Sequence, residues 1–185
     1  MYMVRNTLLF ISALLLVACA ATSLGFDNLN YPVTTKKVIG KLVLIVPAPA
    51  AQRQFTVPAK ALNTADDQIV SGGQMLVKVA DYEYPKIFSS YDRVTTMSAI
   101  KPGFYRAIMQ LYVESFVVDN QEVHVSLHAN LYSYQGKLLY EKSFSGQAKM
   151  TTTLQAAALE AYRSALQQVN DRLEQLLYWE EHANN

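Results

Sequence analysis

The sequence predicts an α+β fold: a mostly antiparallel four- to five-stranded sheet with two amphipathic helices packed on one face. Three observations carry the prediction. Residues 105–131 alternate apolar and polar with a period of two, in two runs separated by turn residues, as a sheet with one buried face does. Two other segments, 73–84 and 154–177, repeat apolar residues at helical spacing. Both helices and the sheet would bury their stripes together in a two-layer arrangement.

The first strand is expected at Lys37 to Val46, where Val38, Ile39, Leu42, Val43, Leu44, Ile45 and Val46 form a nearly continuous apolar run. Such continuity suits a strand covered on both faces. Pro47, Pro49 and Pro58 then interrupt regular structure, and a long loop to Asp67 follows, with a short strand at Phe55 to Val57. From Gly72 or Gly73 the helical stripe Met75, Leu76, Val79, Ala80 and Glu83 begins, to be ended or kinked by Pro85. Val94 to Ile100 reads as a short strand before the Pro102-Gly103 turn. In the meander, Ala107, Met109, Leu111, Val113 and Val117 point inward on its first strand, with Ser115 the exception. On its second, Val123, Val125, Leu127, Ala129 and Leu131 point inward, with His124, Ser126, His128 and Asn130 outward. Asp119-Asn120 and Gln135-Gly136 make the turns. The third strand runs from Leu138 to Phe144. Thr152 and Gln155 have capping-box spacing at the start of the last helix, whose wet face carries Glu160, Arg163, Gln167, Asp171 and Glu174.

The N-terminus is read separately. A basic start ends at Arg5, and an apolar run extends from Leu8 to Ala18, broken only by Ser12. It is shorter than the roughly 20 apolar residues of a membrane-spanning helix and has the form of a secretory signal peptide. Leu16, Val17 and Ala18 precede Cys19, the only cysteine in the chain, so no internal disulfide explains that residue. This segment resembles the lipobox of bacterial lipoproteins. The resemblance implies cleavage before Cys19, with covalent diacylglycerol and an N-acyl lipid on that residue. Ala20 stands where an aspartate would imply retention at the inner membrane, so an outer-membrane location facing the periplasm is expected. The organisation is then a signal peptide at 1–18, a lipidated cysteine and tether at 19–35, one α+β domain at 36–180 and a disordered tail at 181–185.

The order of elements adds a second likeness. A lipobox, a first strand, a helix ending near Tyr84-Pro85-Lys86-Ile87-Phe88, a meander with a Gln135-Gly136-Lys137 turn and an alanine-rich last helix are similar to small Gram-negative outer-membrane lipoproteins. These include the lipopolysaccharide-assembly, ABC-transport-auxiliary and polysaccharide-export types. The resemblance implies an accessory or assembly protein of a cell-envelope transport or biogenesis system, not an enzyme. Its partners would be the membrane, through the lipid, and an envelope protein or a second copy of itself.

Composition and motifs agree with that expectation. The chain has 16 Lys and Arg against 15 Asp and Glu; loss of Arg5 balances them, without the basic excess of a nucleic-acid binder. His124 and His128 share a face but lie about 13 Å apart along a strand, too far for one metal ion. Ser98 and Lys101 have the S-x-x-K spacing of penicillin-binding enzymes without the companion motifs. Gly72-Gly73 before a helix suits chain entry better than anion binding. Asp66 and Asp67 suit a helix start better than acid catalysis. No catalytic residue, metal ligand or cofactor beyond the lipid is therefore expected. The outward residues Phe104, Ile108, Tyr112, Phe116, Tyr132 and Tyr134 would form an aromatic partner surface if no layer covers them. The alternative is a lipid or small-ligand carrier with a pocket lined by Met75, Val79, Met109 and Leu166. A hydrolase would require a convergent Ser/His or carboxylate pair in a cleft.

Overall fold

Leu42, Leu44 and Val46 are fully buried on one side of the first strand, while Val43 and Ile45 are buried on the other. This double burial explains the continuous apolar run, and it places the strand inside a sheet. The computed structural model describes residues 38–101, 105–133 and 135–183, with side chains between 40 and 176. In chain order the elements are β1 (Val38–Ile45), α1 (Ala48–Ala51), β2 (Phe55–Val57), α2 (Ala59–Leu62), β3 (Gln68–Val70) and α3 (Gly72–Ile87). There follow β4 (Phe88–Val94), a 3-10 turn (Met97–Ala99), β5 (Ala107–Asp119), β6 (Glu122–Tyr132), β7 (Leu138–Lys149) and α4 (Leu154–Ala183).

The fold class expected from sequence needs correction. The five-stranded sheet has the order β4-β1-β5-β6-β7 and is mixed. β1 runs parallel to both its neighbours, and only β5, β6 and β7 pair antiparallel. A separate antiparallel pair, β2 with β3, and four helices complete the described residues. The physical reason lies in the connection: β1 returns to β4 through α3, and a strand-helix-strand crossover of this kind joins parallel strands. β4 escapes the periodicity test because it is an edge strand, with only Phe88 buried among its residues. The strand expected at Val94 to Ile100 is mostly bend and 3-10 turn.

Other expectations shift by smaller amounts. Pro85 lies inside α3 but in its last turn, where the lost amide costs little because the helix is ending. Helix α4 is capped by Thr153, whose hydroxyl accepts from Ala156 N at 3.1 Å, one residue beyond the Thr152 expected. Arg163 is not on the wet face: it is 7 % exposed, and its guanidinium meets Glu83 of α3 at 3.2 Å. Gly146 of β7 lets α4 approach closely, since a methyl group there would strike the Ala161 carbonyl.

The helix-facing core joins Leu76 and Val79 of α3 to Met109, Leu111, Leu127 and Leu166. The β2–β3 pair closes one end of it. Phe55 packs on Phe116 at 5.9 Å, and Phe116 packs on Tyr162 at 6.4 Å. The Tyr162 hydroxyl donates to Gly72 O at 2.9 Å.

Candidate functional site

The helices leave the other face of the sheet to be covered by loops or by nothing. At the β1 end it is covered: Val43, Ile45 and Ile108 form a second small core under Val94, Ile100, Tyr105 and Tyr132. Toward β6 and β7 no described helix or loop covers the same face. Its outward residues Gln110, Tyr112, Glu114, Ser126, His128 and Asn130 are half-buried, while Glu141 and Ser143 are exposed. The alternation of β6 places all its outward residues there, as the sequence predicts.

A bulge in β5 decides which aromatic residues reach this face. Val113 pairs with Leu127 and Ser115 with Ser126, so Glu114 is an extra residue. One extra residue inverts the alternation beyond it. Phe116 therefore turns to the helix side and is buried, while Val117 is 50 % exposed, the reverse of the expectation. Of the six residues expected to form a partner surface, Tyr112 and Tyr132 lie on the outer face. Ile108 is buried beneath the loop, Phe116 is in the helix-side core, and Phe104 and Tyr134 lie outside the described residues. So do Leu16, Val17, Ala18 and Cys19.

His128 is the centre of what remains. It lies in register between Tyr112 and Ser143, and its side chain is only 12 % exposed. Its Nε2 meets Glu141 Oε1 at 2.9 Å and Asn130 Oδ1 at 3.0 Å. Both are acceptors, so Nε2 carries a hydrogen in this arrangement. Its Nδ1 lies 3.1 Å from Ser143 Oγ and 3.3 Å from Glu114 Oε1. Ser126 Oγ donates to Glu114 Oε2 at 2.9 Å. Hydrogen bonds from Ser143 and then Ser126, opposed by partial desolvation and aided by His128, hold the Glu114 carboxyl below its usual range. Desolvation, with Glu114 and Glu141 nearby, raises the Tyr112 phenol. The Tyr132 hydroxyl donates to Gln110 Oε1 at 2.9 Å.

Ser143, His128 and Glu141 stand in the order of a nucleophile, a base and an orienting acid. The Ser143 hydroxyl is shared with Glu114, however, and the row lies across an open sheet surface. The two imidazole nitrogens face carboxylates on opposite sides of the ring, which no single ion can bridge. Among the described residues no group of three or more His, Cys, Asp or Glu fits a metal ion. The arrangement is a pre-set hydrogen-bonding surface. The pairing of Glu114, Glu141 and Ser143 around His128 was missed in sequence because it depends on strand register and on the bulge.

The remaining sequence candidates fall elsewhere. Met75, Val79, Met109 and Leu166 are all buried, and the gap beside Met109 under α4 measures about 10 Å³, less than a ligand requires. Gly72-Gly73 has no room for an anion: Phe55 and Tyr162 crowd Gly72, and Gly73 N already donates to Arg53 O at 3.0 Å. Asp67 Oδ1 accepts from Ala59 N at 2.8 Å, at the start of α2. Ser98 lies in the 3-10 turn, 3.0 Å from the Thr96 hydroxyl. An open polar cleft of about 600 Å³ lies between α2 and the β5–β6 turn, lined by Lys60, Asn63, Asp119, Asn120 and Gln121.

No family model and no curated protein matches the chain. Among solved structures, a Caulobacter crescentus CB15 protein assigned as a lipoprotein aligns with TM-score 0.36 and 14 % identity, covering 58 % of this chain and 83 % of its own. Lipoprotein GNA1162 from Neisseria meningitidis aligns with TM-score 0.38 and 13 % identity, covering 71 % and 99 %. An uncharacterised protein aligns with TM-score 0.41 and 12 % identity, covering 76 % and 92 %. Two of the three carry the name lipoprotein.

Proposed function

We propose that this chain is a lipid-anchored accessory protein of the cell envelope, held at the outer membrane through Cys19 and acting by protein contact. The contact surface is the open half of the sheet face, across β5, β6 and β7. The observation that supports this reading is the His128 cluster. Tyr112, Glu114, Asn130, Glu141 and Ser143 are fixed around one half-buried imidazole on a face that none of the described helices covers. Fixed polar groups at a surface lose little freedom on binding, which favours specific contact. Tethering by lipid raises the local concentration of a partner in the same membrane, so modest affinity suffices. A transport or biogenesis machine of the envelope is the partner that the lipobox and the order of elements suggest.

The test is site-specific photocrosslinking in intact envelopes, with the reactive residue placed at Tyr112. Adducts to a distinct envelope protein, absent when the residue is placed at exposed Glu174 on α4, are the expected result. Recovery of the chain alone from both positions would overturn the reading.

A further inference from the structure

β7 ends the sheet order, so one of its two sides has no strand beside it among the described residues. Two hydrogen bonds identify the backbone groups that point there. Met150 N donates to Gln121 O at 2.7 Å, which directs the even-numbered residues of β7 toward β6, since the two directions alternate along an antiparallel strand. The carbonyl of odd-numbered Ser145 is instead taken by Gln168 Nε2 of α4 at 2.6 Å. The N–H and C=O groups of Glu141, Ser143, Ser145, Gln147 and Lys149 therefore face the edge. Their side chains are exposed. A long strand with an open edge is a template for another strand.

The order of these five residues selects the occupant. Glu141 and Lys149 stand four residues to either side of Ser145. In a second copy of β7, laid antiparallel with Ser145 opposite Ser145, Glu141 of each copy meets Lys149 of the other. Ser143 then meets Gln147, and on the helix side Phe144 lies beside the bare Gly146. Odd residues must oppose odd residues for the backbone groups to meet. Among such registers, this one sets both carboxylates against both ammonium groups and uses all five edge positions. Lys149 also lies opposite Glu122 in its own sheet, so it would sit between two carboxylates. Gln168 would give up one hydrogen bond, replaced by two between the facing Ser145 backbones, and the Lys149 carbonyl, which already accepts from Thr151 N at 3.1 Å, would accept a second.

The geometry points to a homodimer formed by antiparallel pairing of β7 with β7 of a second copy, in register about Ser145. It joins the two sheets edge to edge and sets the two His128 clusters on one continuous face. The pairing shares Glu141 with the partner surface proposed above, so the partner role is read separately, by the Tyr112 adducts of the otherwise unchanged chain.

The test uses the full-length chain in its native envelope. Cys19 is its only cysteine, so Ser145→Cys adds a thiol placed to meet its own copy across the axis. Under mild oxidation, Ser145→Cys is expected to give a disulfide dimer, and wild type and Asn130→Cys are not. Equal dimer yields from Ser145→Cys and Asn130→Cys, or none from Ser145→Cys, overturn the proposal. So does a disulfide from position 145 to a different protein. In detergent, Glu141→Lys is expected to raise the dimer dissociation constant about ten-fold, because like charges then face each other at both ends. Adding Lys149→Glu restores it to within about three-fold, the attraction being re-formed with the signs exchanged. A monomer in both the wild type and the double variant, or a double variant no tighter than Glu141→Lys, refutes the register.

Discussion

The Tyr112 ring lies over the His128 imidazole, centroids 4.8 Å apart and planes 23° from parallel, across directly paired positions of β5 and β6. Paired rings on adjacent strands contribute about 0.5–1.5 kcal/mol beyond the area they bury. A double-mutant cycle over Tyr112→Ala and His128→Ala is expected to give a coupling energy of about 1 kcal/mol by urea unfolding. His128→Phe keeps the stack and removes the hydrogen bonds. It is expected to retain most of the stability while losing the Tyr112 crosslinks to a partner. Loss of neither stability nor crosslinks in any of these variants would show that the cluster is incidental.

Glu114 gives the same site a pH signature. Its carboxyl is held below its usual range, first by the Ser143 hydroxyl. A carboxylate with a depressed folded pKa stabilises the fold above its unfolded value, and that contribution is lost as pH falls through the folded value. Glu114→Gln is therefore expected to be less stable than wild type at neutral pH, with the gap closing below about pH 4. Urea midpoints measured across that range check it; a gap independent of pH would assign the effect to packing instead.

How much of this was legible in the residues depends on where each one sits. β5 and β6 were readable because each has one wet and one dry face, and period two follows from that. Period two showed Ser115 as an exception in the inward series but not the bulge at Glu114 that causes it, because the apolar residues Val113 and Val117 on either side kept the same parity. Phe116 and Val117 were exchanged for this reason. The Leu42-to-Val46 run correctly implied a doubly covered strand, but the direction of its neighbours is a property of the chain path through α3. β4, with Phe88 alone buried, has no hydrophobic pattern to read. Arg163 was placed in water because a single charged residue on a helix carries no sign of the Glu83 that awaits it on another.

That Glu83–Arg163 pair is the next test. Burial raises the Glu83 carboxyl, with Lys86 opposing, and lowers the Arg163 guanidinium to about 10, which still leaves it charged at neutral pH. Removing one partner strands a desolvated charge, which costs about 3 kcal/mol, whereas removing both with apolar residues of similar size is close to neutral. Glu83→Leu is thus expected to lower stability strongly, and Glu83→Leu with Arg163→Met to recover most of the loss. Additive losses in the two single variants and the double would contradict the pairing.

The β5–β6 turn carries a removable strain. Asn120 and Gln121 both have positive φ, 47° and 63°, the conformation of a two-residue hairpin loop in which the second position favours glycine. Gln121 has no such freedom, and a left-handed conformation costs a side-chain-bearing residue about 1 kcal/mol or more. Gln121→Gly is expected to raise stability by up to about 1 kcal/mol, less the entropy that glycine adds to the unfolded chain. Thermal and urea unfolding measure it, and a destabilised variant would mean that the Gln121 side chain contributes contacts of its own.

The anchor has the most direct test. Among the described residues no helix is long and apolar enough to cross a membrane; in the proposed role, lipid at Cys19 supplies the attachment. More than one acyl chain is needed for that, each buried methylene contributing about 0.8 kcal/mol. Cys19→Ser is expected to abolish acylation, visible as the missing lipid mass on the N-terminal peptide, and to shift the protein out of its normal membrane fraction. Ala20→Asp addresses the destination separately: acylation should persist while the protein moves from outer- to inner-membrane fractions on a density gradient. Unchanged fractionation of Cys19→Ser would refute the lipid anchor. An acylated Ala20→Asp protein that stays in place would leave the anchor intact and refute only the sorting signal.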